Sequence, residues 1–190
     1  MFEKIERYYR KNQLLPEAEI EKMMYAIRSI WNDLMKFLIM LGLACMLKEL
    51  SLYLWVVAVY TSCRVFLGGV HKKTFWGCTV VTMVQIFALI YLAHLVVCYD
   101  VDLVRLSGAS TGIVLGVGSV VSSEKRKVTE EKKRWFTFVS FGIEVAWMIV
   151  AWNHRKMVIQ QGIYLAILLD NLQVVMAKYY ENKRKELKRA

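Results

Sequence analysis

Between positions 64 and 78 the chain reads Arg-Val-Phe-Leu-Gly-Gly-Val-His-Lys-Lys-Thr-Phe-Trp-Gly-Cys, which sets a histidine and a cysteine seven residues apart behind two glycines. Histidine and cysteine together make a thiol nucleophile: the imidazole takes the proton, and the thiolate attacks a carbonyl carbon. An ordinary thiol, with a pKa near ~8.5, is only a few per cent thiolate at neutral pH, so such a partner matters. Cys78 is therefore the candidate nucleophile and His71 the candidate general base. A lone cysteine in an apolar helix is more often an inert packing residue. Cys45, Cys63 and Cys98 are read that way.

Geometry restricts how the pair could meet. Seven residues on one straight helix separate two side chains by ~10.5 Å along the axis at 1.5 Å per residue. A hydrogen bond needs much closer approach, so His71 and Cys78 should not share a continuous helix. Gly68 and Gly69 allow the chain to fold back, and Thr74 suits the N-cap of the helix that follows. Cys78 then lies in that helix's first turns, where the positive end of the dipole favours a thiolate. The N–H groups of Phe75, Trp76 and Gly77 would lie nearby as donors for an oxyanion, and Lys72 and Lys73 add positive potential.

The elements that must carry this stretch are apolar. Of 190 residues 57% are hydrophobic and the mean hydropathy is +0.36, yet 26 basic and 16 acidic residues leave a net charge of +10. These populations are segregated into apolar blocks and basic islands, the pattern of a polytopic membrane protein. Disorder is excluded by the apolar and aromatic content. A secreted disulfide scaffold is excluded by four cysteines that have neither the density nor the spacing for one.

Six apolar segments run over roughly 34–47, 51–67, 75–98, 103–122, 135–152 and 157–177. The expected fold is an all-α integral membrane protein of about six transmembrane helices, forming one domain over 1–190. Residues 1–33 form its amphipathic cytoplasmic or interfacial segment, 34–177 the bundle and 178–190 a basic cytoplasmic tail. In the first of these, Pro16, Glu17 and Glu19 suit a helix start. Ile20, Met23, Met24, Ile27, Ile30, Trp31 and Leu34 then recur at helical spacing, which fits a helix lying in the membrane surface.

Lys48-Glu49 marks a tight turn between the first two spans; a single long kinked helix is the alternative. Charge separates the two. With a turn there, 22 Lys and Arg residues fall on one side and only Lys48, Arg105, Arg155 and Lys156 on the other. Positive charge marks the cytoplasmic side, so both termini are expected in the cytoplasm of a cell-membrane protein. Gly108, Gly112 and Gly116 form a smooth stripe for helix packing that would also permit a homodimer. A phosphate loop is a poor reading, because no strand precedes these glycines and no lysine follows them.

Arg64, Gly69, His71 and Cys78, followed by an apolar span, resemble the accessory gene regulator B family of membrane cysteine endopeptidases. The layout is similar too: a cytoplasmic amphipathic start, about six spans, a basic loop before the fifth and a lysine-rich tail. Ile159-Gln160-Gln161-Gly162 is a weaker echo. The basic loop departs from the family pattern, since no proline follows Pro16. The resemblance implies processing of a precursor peptide in Gram-positive quorum sensing. Cys78 would cleave off an acidic C-terminal piece through a thioester, with His71 as general base. A cysteine or serine of the peptide would then close a thiolactone or lactone ring. Precursor peptide and membrane lipids are the implied partners, with no cofactor, no metal and no nucleic acid.

Within that reading Arg64 would hold a substrate carboxylate or backbone carbonyl, and Gly69 would meet a conformational requirement. Snorkelling to lipid headgroups is the bland role for Arg64. Glu144 and Asp170 stand inside apolar spans, where an acid is costly and therefore a candidate for function. Asp170, with Asn171 and Gln173, lies toward the cytoplasmic half, where it could orient His71. The competing class is a small transporter or exporter that uses those acids, with His71 and Cys78 incidental. A non-catalytic scaffold is the third.

Overall fold

The computed structural model describes residues 2–11, 16–67, 75–99, 103–118 and 129–187, and every regular element among them is an α helix. In order these are α1 (Phe2–Lys11), α2 (Glu17–Met46), α3 (Leu50–Leu67), α4 (Phe75–Tyr99), α5 (Leu103–Val117), α6 (Glu130–Asn153) and α7 (Met157–Leu187). They fall into two compact units, Met1–Lys48 and Glu49–Ala190.

In the first unit α1 packs on α2. Glu6 joins them, accepting from Arg10 of its own helix at 3.1 Å and from Arg28 of α2 at 3.0 Å. Arg10 also reaches Glu17 at 2.8 Å. Pro16 precedes the first turn of α2, which carries Glu17 and Glu19, as expected of a helix start. The amphipathic stretch and the first apolar stretch are one helix of 30 residues. No proline interrupts the chain between Pro16 and Met46, so nothing in the backbone forces a break where the polarity changes. The helix ends at Met46, Lys48 takes φ 60°, and α3 begins at Leu50. The regular helix is thus interrupted at residues 47–49, where the sequence carries Lys48-Glu49.

The second unit is built around α7, which packs against α3, α4, α5 and α6. Its inward face carries Ile159, Gly162, Ile163, Ala166, Ile167, Asp170, Asn171 and Val174, all buried. Gly162 is what allows the approach: a Cβ there would stand 2.7 Å from Leu52 Cδ1 of α3 and 3.4 Å from Val56 Cγ2. Gly162→Val should therefore cost about 1–3 kcal/mol through overpacking. The check is a lower thermal midpoint for the purified protein than Gly112→Val gives, since the space at Gly112 is open.

Among the described residues five helices are long and apolar enough to cross a bilayer: 19–46, 50–67, 76–99, 131–153 and 157–180. The outward surface agrees with that reading. On α4 alone Trp76, Val80, Val81, Val84, Tyr91, Leu92 and Tyr99 are exposed, a face that suits hydrocarbon. The protein is a multi-pass, all-α membrane protein. The sixth span is the short one. α5 ends at Val117, followed by Gly118 at φ 80°, and its 15 residues cover about 22 Å of a ~30 Å core. Among the described residues nothing packs on the glycine stripe of α5: Gly108, Gly112 and Gly116 are exposed, with open space beside each. The face turned to the bundle is the neighbouring one, with Ser107, Thr111 and Val114.

Candidate active site

Aromatic and polar contacts define the two ends of the second unit. At one end Phe66 of α3 meets Trp135 and Phe136 of α6, with ring centroids 6.5 and 6.2 Å apart. At the other, Trp55 meets His154 at 5.3 Å, and His94 Nε2 lies 3.1 Å from Glu49 Oε1. His94 thus sits toward the end away from Arg64. Like His154, it is remote from Cys78.

Arg64 and Cys78 belong to the Phe66 end. Arg64 is in the last turn of α3, with its guanidinium carbon 4.8 Å above the Tyr60 ring. That stacking places a cation on the negative face of the ring. Cys78 is the fourth residue of α4 and is partly exposed. Gly69 and His71 lie in the 68–74 connection, outside the described residues, as do Thr74 and the proposed glycine bend. Trp76, Gly77 and Cys78 are each engaged by other residues, and no oxyanion cradle is assigned to them.

All four cysteines are thiols. Cys63 is fully buried, whereas Cys78 is not, and this difference should be readable by chemistry. In single-cysteine variants, a polyethylene-glycol maleimide should modify Cys78 at least ~10-fold faster than Cys63, because modification requires access to the sulfur. Equal rates measured by gel shift would refute this packing.

A polar cluster lies behind this end, inside the bundle. Tyr60 Oη donates to Gln85 Oε1 of α4 at 3.2 Å, and Gln173 Nε2 of α7 reaches Tyr60 Oη at 3.5 Å. Three helices therefore meet at Tyr60. Gln85 stands two turns along from Cys78 on the same face of α4, about 10.5 Å away along the axis. Deeper in the bundle, Thr111 Oγ1 donates to Glu144 Oε2 at 2.6 Å. Asn171 Nδ2 donates to the same oxygen at 3.2 Å and to Ser110 Oγ at 2.9 Å. This staple joins α5, α6 and α7. Trp147 Nε1 donates to Ser62 Oγ at 2.8 Å and ties α6 to α3.

Glu144 and Asp170 were legible as costly acids, but the roles of Tyr60, Gln85, Ser110 and Thr111 were not. The available signal was the spacing of Ser107, Ser110 and Thr111, which puts three hydroxyls on one face of a short apolar helix. No cluster among the described residues has the three acidic, histidine or cysteine ligands that would hold a metal ion.

Comparison with known proteins agrees with this layout. A Clostridium beijerinckii protein described as AgrB-like is 23% identical over 169 residues, covering 89% of this chain and 83% of that one. No solved structure matches. The model of the family described as accessory gene regulator B matches residues 2–177, which include all six apolar segments of the sequence and the whole 64–78 stretch. A bundle with a partly exposed cysteine in the first turn of α4, matched over nearly its full length, belongs to the accessory gene regulator B family.

Proposed function

We propose that this chain is a membrane cysteine endopeptidase that removes the acidic C-terminal piece of a precursor peptide and leaves the signal portion ready to cyclise. Cys78 is the nucleophile and His71 the general base. The Cys78 thiolate attacks the scissile carbonyl, the C–N bond breaks, and the protonated His71 gives its proton to the departing amine. The acyl group remains on sulfur as a thioester. A thiol or hydroxyl of the peptide then displaces Cys78 and closes a thiolactone or lactone. Ring closure from an amide is uphill, so departure of the cleaved tail pulls the sequence forward.

The observation that carries this reading is the position of Cys78: in the first turn of α4, partly exposed, at the same end of the bundle as Arg64. The surroundings favour the chemistry. Lys132, Arg134 and Lys183 are exposed at that end, a field that attracts an acidic peptide tail. An apolar bundle limits water, which would otherwise hydrolyse the thioester before the ring closes. By the charge rule this end faces the cytoplasm. Glu144, which a transporter would need available, is closed in by Thr111 and Asn171, and this weighs against that alternative.

Trapping the intermediate tests the proposal. The purified protein in liposomes is given a peptide with an amphipathic leader and acidic tail in which the ring-closing residue is alanine. Intact-mass analysis should show the protein heavier by the acyl fragment, and neutral hydroxylamine should release it. A cleaved peptide with no adduct on the wild-type protein would remove Cys78 from the mechanism.

A further inference from the structure

We infer that Tyr60 is a positioning residue: its ring seats the Arg64 guanidinium at the Cys78 end of the bundle, where it can receive a carboxylate of the peptide. This rests on the endopeptidase reading and adds a residue to it. Tyr60 is 3% exposed and stands one turn before Arg64 on α3. The guanidinium carbon lies 4.8 Å from the ring centroid, inside the ~6 Å reach of a cation held by a π face.

Arg64 is half-buried in the last turn of a span, where an arginine ordinarily extends outward to headgroups. Its charged end lies instead over a buried ring of the preceding turn. That ring is itself held at its other end. Tyr60 Oη donates to Gln85 Oε1 of α4 at 3.2 Å and accepts from Gln173 Nε2 of α7 at 3.5 Å. A buried phenol needs such partners, and here they pin the long axis of the ring.

Of those partners, α4 is the helix that carries Cys78, and α3 packs against it. Arg64 stands three residues before the end of α3 and Cys78 three residues after the start of α4. Each is therefore ~4.5 Å inside its helix end at 1.5 Å per residue, and residues 68–74 join those two ends. Tyr60 thus couples the two: its ring takes the guanidinium and its hydroxyl takes the helix of the nucleophile. A guanidinium held over a ring face keeps its N–H edge for hydrogen bonds, and that edge matches a carboxylate bidentately.

Kinetics in liposomes test this, with one peptide whose tail is acidic and a second whose tail acids are replaced by glutamine. Y60F keeps the ring; Y60M removes it but fills irregular space with a flexible chain. Y60L is the second ring-free variant should Y60M not insert. Y60M should raise KM for the acidic peptide about tenfold with kcat within about twofold, the pattern of lost binding rather than lost chemistry. It should leave the glutamine peptide unchanged, whereas a general loosening of the bundle would slow both. Y60F should keep KM within about threefold, because phenylalanine preserves the π face. R64A combined with Y60M should be no worse than R64A alone, because residues acting through one another are not additive. An unchanged KM in Y60M, a loss in Y60F as large as in Y60M, equal loss on the two peptides, or multiplicative losses would overturn the assignment.

If wild-type protein cleaves neither peptide, or C78A cleaves both, the endopeptidase reading fails instead. The seat is then decided without substrate. Phenylglyoxal adds to accessible guanidines, and mass-spectrometric mapping reads its rate at Arg64. That rate should rise at least about fivefold in Y60M and stay within about twofold of wild type in Y60F. Equal rates in all three proteins, or an equal rise in both variants, would refute the seat.

Discussion

If Cys78 is the nucleophile as proposed, Cys78→Ala should reduce peptide cleavage by about 10³-fold or more while leaving the protein inserted and folded, because nothing else in the site would replace it. On the proposed mechanism the two residues act as one unit whose effects do not add, so His71→Ala should produce a loss of similar size. The control is Cys63→Ala. Cys63 is buried on α3 beside Arg64, so its replacement tests whether any thiol in the bundle would serve. It should keep cleavage within about threefold of wild type. Mass spectrometry of the released C-terminal fragment, normalised to protein in the membrane, reads all three. Full cleavage by Cys78→Ser would also be fatal to the assignment, because a serine hydroxyl lacks the thiol's intrinsic reactivity at neutral pH.

The largest expected effect on folding is at Glu144. Glu144→Ala removes the acceptor shared by Thr111 and Asn171, leaves both buried without it, and opens a void between α5, α6 and α7. Each interhelical hydrogen bond in a bilayer is worth about 0.6–2 kcal/mol, and the void adds to that, for a loss of about 2–4 kcal/mol. Glu144→Gln keeps an acceptor oxygen in place and should cost about 1 kcal/mol. Thermal unfolding in detergent micelles should rank the variants in that order. The same pair divides the functional classes: an endopeptidase with a structural Glu144 keeps its cleavage activity in Glu144→Gln, whereas a transporter that moves charge through this carboxyl does not.

The membrane spans were legible because each is an apolar block bounded by charge, and a helix is the only structure that satisfies its own backbone in lipid. The boundary at 34 was not legible. Polarity changes there, but the helical backbone of α2 has no reason to notice. The ends of α5 were half legible: Gly118 is a left-handed stop after Val117, yet the apolar character of the sequence runs on to position 122. Which face of a span turns inward is a matter of tertiary rotation. The glycines of α5 suggested packing by their spacing, while the hydroxyls one position away are the residues that meet α6 and α7. Glu144 and Thr111 are 33 positions apart, and no periodicity within one helix connects them. At the site, the residue types named Cys78 and Arg64, and the helices place those two at one end. The Tyr60 corner required coordinates, because it is assembled from single polar residues on three different helices.

The central place of α7 has a consequence for biogenesis. It leaves the ribosome after α3, α4, α5 and α6, yet it is the one that all four pack against. Earlier spans delivered to the bilayer must wait with Glu144, Thr111 and Tyr60 lacking their α7 partners until α7 itself has been made. A nascent chain stopped before position 157 would hold every residue of the 64–78 stretch and still lack the wall behind it. Chains truncated there should therefore be recognised as unassembled and degraded.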